Sequence, residues 1–574
     1  MTLQPLPAIH TLTLTQLVAQ MVVIRTTGHL YDHQIAYPAW ERNNHELADL
    51  IGNYGVGGVI LLGGSAPEIY ARTQQLQALA PIPLLITADV EEGVGHRFSG
   101  ATWFPAPMAL EHLPTTQAEA MGCITAQESL AIGINWLFAP IVDINNNPLN
   151  PVINVRAFGT TADTVMAQTG AFIRGAQTYP VLTTAKHFPG HGDTAVDSHL
   201  QTPVLPHSRQ RFNSLEWLPF RHAIAQGVDA IMTAHVLVPA LDEKWIATLS
   251  PTILTGILRE EMGFEGLIVT DALIMSGVAD LGTSAEVAVQ AVKAGADILL
   301  MPIDPWSTIE AVVSAVESGE IPLERIQGSV SRIWQAKAKV FGSANSATAL
   351  DYQNLQRVAL PESLGVAAAI TTASLEVYIP DTQGASDSKD WGKGIVNGLV
   401  NALATSSDQI KPSDGCAGRR HHGGVNLMLV DDPLHLEGIL SHNAPAVQLL
   451  QNYGYQKLLI DGQTVDYLQL DALSNVVMQI FSRGNPFRGS AGLHQKTATL
   501  VQHLVQSQQL SALLVYGSPY GLADLKQYLT PDIPWGFAFG QQPMAQTALL
   551  QTLINRLQSL RQPQTEKRVS YFCT

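Results

Sequence analysis

From residue 186 the chain reads Lys-His-Phe-Pro-Gly-His-Gly-Asp-Thr-Ala-Val-Asp-Ser-His, with Lys186 and His187 at one end and Asp197 and His199 at the other. A carboxylate beside an imidazole is suited to moving a proton near neutral pH, and an ammonium group is a strong hydrogen-bond donor. Pro189, Gly190 and Gly192 forbid a regular helix here, because proline fixes φ and glycine tolerates any φ. The apolar run Val181-Leu182-Thr183-Thr184-Ala185 ahead of them reads as a short buried strand. A rigid strand therefore delivers a charged loop, which is how active sites are commonly built.

The same construction recurs along the first ~340 residues, where strand-like runs alternate with helix-like segments. The runs are Met21–Ile24, Gly58–Leu62, Pro83–Thr87, Trp136–Val142, the strand before Lys186, Ala230–Ala234, Leu267–Thr270 and Asp297–Met301. Asp89, Asp143, Lys186 with His187, His235, Asp271 and Asp304 each stand at or just beyond the C-terminal end of one run. In a (β/α)8 barrel such positions face one common mouth, whereas a doubly wound open sheet gathers them over a narrower crevice. The pattern predicts an α/β chain with an N-terminal (β/α)8 TIM-type barrel. Ser250-Pro251 marks the start of a helix before Ile253, Leu254, Ile257 and Leu258, and Gly263 its end.

At 574 residues the chain is too long for one core. A barrel domain over 1–341, a linker over 342–352 and a second α/β domain over 353–574 are expected. The second domain's strands are read at Leu375–Ile379, Val425–Val430, Lys457–Ile460, Val476–Phe481, Ala512–Tyr516 and Gly536–Phe539. A Gly-, Ser- and Asp-rich excursion fills Asp381–Gly424. A net charge of −16 argues against nucleic acid or an anionic membrane as partner. Cys123, Cys416 and Cys573 lie far apart, which speaks against a disulfide framework or a cysteine metal site. The N-terminus lacks a basic n-region and an apolar h-region, so a cytoplasmic protein without membrane spans is the expectation. Oligomeric state is not readable.

Three motifs in order resemble glycoside hydrolase family 3, in its β-N-acetylglucosaminidase branch. They are Asp143-Ile144-Asn145 with Asn150-Pro151-Val152-Ile153 and Arg156-Ala157-Phe158-Gly159, the Lys186–His199 loop, and Gly263-Phe264-Glu265-Gly266-Leu267-Ile268-Val269-Thr270-Asp271. The resemblance implies that Asp271 is a nucleophile forming a covalent glycosyl-enzyme, and that Asp197 and His199 form an acid/base dyad. It also implies that Asp89, Arg97, Arg156, Lys186 and His187 bind the sugar. His235, in Thr233-Ala234-His235 at a strand end, either lines the pocket or buttresses the loop. The substrate would be a small carbohydrate bearing terminal GlcNAc, from peptidoglycan-derived muropeptides or chitooligosaccharides, with neither cofactor nor metal.

Two positions depart from the family pattern. Ala272 follows Asp271 where a second acidic residue is common, and Asp89-Val90-Glu91-Glu92-Gly93-Val94 replaces Asp-Gln-Glu-Gly-Gly-Arg. Both changes bear on pocket shape. A phosphorylase is the main alternative, because a histidine acid/base carries no negative charge to repel phosphate. A β-glucosidase or a non-catalytic sugar-binding protein is a weaker one. His187 and His191 have the four-residue spacing of a zinc site, but Pro189 and Gly190 break the helix that would align them.

Overall fold

The computed structural model describes residues 6–195, 202–279, 281–342, 352–380, 424–431, 438–462, 464–483 and 495–559. The expected excursion over 381–423 and the linker residues 343–351 lie outside the described residues.

Eight strands form the first sheet: β1 Val22–Thr27, β2 Gly58–Leu62, β3 Leu85–Ala88, β4 Trp136–Leu137, β5 Leu182–Phe188, β6 Ala230–Thr233, β7 Leu267–Val269 and β8 Leu299–Leu300. Each pairs in parallel with its sequence neighbour, and β1 pairs with β8. A parallel bridge between Val269 and Ile298 joins β7 to β8 and closes the ring. The strands are apolar almost throughout because both faces are covered, by lumen side chains inside and helices outside. Every residue of β1 and β5 is buried, including Arg25 and Lys186.

The helix predicted after Ser250 is present but wider than an α-turn. It spans Thr252–Glu261, with Ser250 Oγ accepting from Ile253 N at 3.1 Å and Met262 N reaching back to Ile257 O. At the amino-terminal end of the barrel Asp297 gathers Arg259, Arg325 and Arg332 at 2.7, 3.3 and 3.3 Å. That cluster ties two outer helical segments to the sheet.

The first compact unit runs to Ala373, past the boundary that composition places at 341. The reason is tertiary. Ala359 N donates to Glu128 Oε1 at 2.9 Å, and Gln127 Nε2 donates to Arg357 O at 3.2 Å. Those bonds stitch the segment before helix Pro361–Ala373 to helix Thr115–Ala131.

The second unit holds β9 Glu376–Tyr378, β10 Gly424–Val430, β11 Tyr455–Ile460, β12 Val476–Ser482, β13 Leu510–Gly517 and β14 Trp535–Ala538. Their order is β11-β10-β12-β13-β14-β9, parallel except for β9, which runs antiparallel to β14. Alternate residues feed two cores: Val477, Phe481, Leu514 and Tyr516 on one face, Met478, Ile480, Leu513 and Val515 on the other.

Candidate active site

The carboxyl ends of β3, β4 and β5 bring together charges that are far apart in sequence. Lys186, buried in β5, places Nζ 2.7 Å from Asp89 Oδ1 and 2.7 Å from Glu91 Oε1. Arg156 clamps the same Glu91 with two parallel bonds, Nε and Nη2 each at 2.8 Å, and its Nη1 donates to Val152 O at 2.9 Å. Arg97 closes the group by donating Nε to the Asp89 carbonyl at 3.0 Å.

Burial makes these charges interdependent. Desolvation opposes the Glu91 carboxylate, yet Arg156 and Lys186 hold its pKa well below the usual carboxylate range. Desolvation likewise opposes the Lys186 ammonium, and Asp89 and Glu91 overcome it to raise that pKa. Arg156 is raised too, burial being outweighed by Glu91 with smaller attractions from Asp89 and Asp271. The result is a set of fixed donors and acceptors that keep their charges in a low-dielectric wall.

Beside this cluster Asp143, buried after β4, organises the turn from His187 to His191. Its Oδ2 accepts from His187 N at 3.1 Å and lies 2.7 Å from His187 Nδ1, while Oδ1 accepts from His191 N at 2.7 Å. A carboxylate on Nδ1 selects the tautomer and leaves Nε2 as the other pole of the ring. His191 Nδ1 lies 2.8 Å from Thr194 Oγ1. Its pKa falls to about 4, because burial outweighs the Asp143 attraction. Asn150 adds two bonds from Nδ2, to His191 O and Gly192 O, both at 2.8 Å. Gly192 must be glycine: a Cβ there would meet Ile144 O at 1.7 Å. The Lys186–His187 and Phe188–Pro189 peptides are cis.

Asp271 follows β7, and its Oδ1 accepts from Ala272 N at 2.8 Å. Its charge acts on Arg156 and on His191, which places it within electrostatic reach of both clusters. His235 is fully buried, with Nδ1 2.8 Å from Thr248 Oγ1 and Nε2 3.1 Å from Ala272 O, so it braces the backbone beside Asp271. Asp304 caps helix Pro305–Glu317 through Trp306 N and Ser307 N. Asp197 and His199 lie outside the described residues.

Two participants carried no role in the sequence reading. Glu91 is the counter-ion shared by Lys186 and Arg156, and its signal was a second carboxylate two residues after Asp89 in the same mouth loop. Asp143 stood as a strand-end and motif residue without an assigned role, and nothing local predicts its partner 44 residues away.

Residues 13–336, more than half of the chain, match the glycosyl hydrolase family 3 N-terminal domain. The chain belongs to glycoside hydrolase family 3. Residues 418–555 match the bacterial family 3 C-terminal domain. The chain is 35% identical over 343 residues to β-hexosaminidase A of Pseudoalteromonas piscicida, a match covering 52% of this chain and 56% of that one. It is 31% identical over 296 residues to the β-N-acetylglucosaminidase/β-glucosidase of Cellulomonas fimi, covering 50% and 52%. The matches thus span about half the length of these curated relatives. The solved family 3 β-N-acetylglucosaminidase of Paenibacillus sp. str. FPU-7 is similar over 95% of this chain and 97% of that one, at 30% identity and a TM-score of 0.74. Among the described residues no helix is long and apolar enough to cross a membrane.

Proposed function

We propose that the protein is a retaining exo-β-N-acetylglucosaminidase that removes terminal GlcNAc from peptidoglycan-derived muropeptides or from chitooligosaccharides. The observation that carries this reading is the buried cluster of Asp89, Glu91, Arg156 and Lys186, whose Arg156 also feels the charge of Asp271. A neutral sugar offers only hydroxyls and an amide, and rigid charged partners make the strongest hydrogen bonds to them. Lys186 has three N–H donors, two of them directed at Asp89 and Glu91, and the third serves a sugar hydroxyl. Asp89 accepts from the hydroxyls beside it.

In this account the Asp271 carboxylate attacks the anomeric carbon while His199 protonates the departing oxygen. Asp197 orients the His199 ring and favours its protonated form. The glycosyl-aspartate is then opened by water, whose proton His199 takes back. Two inversions at one carbon give net retention. Asp143 keeps the His187 ring in one orientation, so that Nε2 meets the sugar.

The test is a panel of aryl β-GlcNAc, aryl β-glucoside and a muropeptide, with proton NMR of the sugar first released. Release of β-GlcNAc, fastest from the GlcNAc substrates, supports the reading; first release of the α-anomer contradicts it. Sugar 1-phosphate formed only in phosphate buffer transfers the same site to phosphorolysis.

A further inference from the structure

Asn150 is fully buried in the turn after β4, and both poles of its side-chain amide are engaged. Its Oδ1 accepts from Val152 N at 2.9 Å and from Ile153 N at 2.8 Å. On the opposite side Nδ2 donates to His191 O and Gly192 O, both at 2.8 Å, with Thr194 Oγ1 at 3.3 Å. Backbone N–H groups face one pole and carbonyls the other, so the site calls for an uncharged side chain with one acceptor and one donor group. An aspartate of the same shape would turn an anionic oxygen onto two carbonyl oxygens.

Asn154, also fully buried, secures the next turn of the same segment. Its Nδ2 donates to Asn150 O at 3.2 Å, and its Oδ1 accepts from Val155 N at 3.0 Å. Its φ is +43°, a left-handed conformation that asparagine tolerates better than most side-chain-bearing residues. There the chain enters the short turn Asn154–Arg156, closed by Arg156 N on Ile153 O at 2.8 Å. That turn presents Arg156 to Glu91. Val152 gives its N–H to Asn150 and its carbonyl to Arg156, so the two side chains share one peptide segment. The Asn150 amide thereby joins that segment to a turn 41 residues away, His191–Thr194, from which the chain runs on to Asp197 and His199.

We propose that Asn150 is a positioning residue that sets the proton-transferring side of the mouth against its sugar-binding side, and that Asn154 fixes the turn presenting Arg156. This rests on the glycosidase reading above. Losing the donor half of the Asn150 amide leaves buried carbonyls unpaired and frees the His191–Thr194 turn, while the Arg156 segment keeps its acceptor. The two asparagines therefore act on different steps: Asn150 on departure of the leaving group, Asn154 on sugar binding.

The test compares N,N′-diacetylchitobiose, whose leaving oxygen needs a proton, with 2,4-dinitrophenyl β-GlcNAc, whose leaving group departs without one. Asn150→Asp should lower kcat/KM about tenfold on the disaccharide and less than about threefold on the aryl glycoside. Asn154→Ala should lower it by one common factor, about tenfold, on both substrates. Asn154→Gly, free to take a positive φ, should recover most of that loss. Equal losses on both substrates from Asn150→Asp, or a loss from Asn154→Gly as large as from Asn154→Ala, overturn the assignment. If Asn150→Asp does not fold, Thr194→Val removes one acceptor of the same amide and should show the same leaving-group bias; equal losses again overturn it. If the unsubstituted chain cleaves neither substrate, the glycosidase reading fails, and hydrogen exchange decides the bridge. Asn150→Ala should then speed amide exchange at 152–153 and at 191–194 together, and unchanged exchange in either segment overturns the bridge as well.

Discussion

Glu91 Oε1 lies 2.7 Å from Lys186 Nζ, and the same carboxylate is held bidentately by Arg156. One buried anion therefore supports two buried cations at the wall of the mouth. Removing it leaves both with reduced compensation, and breaking a buried pair costs about 3–5 kcal/mol. Glu91→Gln should lower the midpoint of denaturant unfolding and also reduce kcat/KM on aryl β-GlcNAc. The sign of its pH dependence follows from a depressed pKa. The stabilisation is present above the unfolded value of about 4.3 and drains as pH falls through the lower folded value. Unfolding free energies measured as pH falls from about 4.3 towards the lower folded value should decline more steeply for the unsubstituted chain than for Glu91→Gln.

His191 gives a pH dependence of the same sign in a higher window, here because burial disfavours its charged form. Its folded pKa is about 4, and the unfolded chain takes the proton near 6.5. Below pH 6.5 the unfolded state gains, so native stability falls by about 1.4 kcal/mol per pH unit until the folded group titrates. Between pH 6.5 and 5 this amounts to about 2 kcal/mol. Denaturation of His191→Gln across that range should show a flatter profile than the unsubstituted chain; parallel profiles would contradict a buried neutral ring.

Asp143 makes three bonds to the loop, including the one that sets the His187 tautomer. Hydrogen bonds to a charged acceptor contribute about 1.5–3 kcal/mol, so Asp143→Asn should lower kcat/KM about ten- to a hundredfold. In combination with His187→Ala the losses should fall well short of additive. Full additivity would mean that Asp143 acts elsewhere.

Asp297 provides the contrast at the other end of the barrel. It neutralises Arg259, Arg325 and Arg332 and accepts from Ile268 N at 3.1 Å and Ser329 Oγ at 2.6 Å. Asp297→Asn should destabilise the fold by about 3–5 kcal/mol. Turnover per folded molecule at low temperature should stay unchanged, because amino-terminal barrel positions serve stability. Scanning calorimetry beside active-site titration checks both halves.

The barrel was legible because each strand is a continuous apolar run ended by a polar residue, and that pattern survives folding as a ring of mouth residues. What sequence could not supply was pairing. Lys186 and Asp89 meet across 97 residues, and no local rule joins them. The antiparallel edge strand β9 is three residues long, too short to reveal its direction without its partner β14. Helix Pro361–Ala373 belongs to the first unit through its packing on helix Thr115–Ala131 and the bonds made just before it, which its own composition does not reveal. Arg25 was hidden for a related reason: a lone arginine in an apolar strand acquires meaning only once Glu41 returns to meet it.

The central claim is a covalent bond between the sugar and Asp271. Incubation with a slowly released fluorinated GlcNAc fluoride, acid quench and mass spectrometry of the digested protein tests it directly. A mass increase of one glycosyl group is expected on the peptide carrying Asp271, absent from Asp271→Ala, whose turnover on aryl β-GlcNAc falls by several orders of magnitude. A label on another residue, or near-normal turnover by Asp271→Ala, would contradict it.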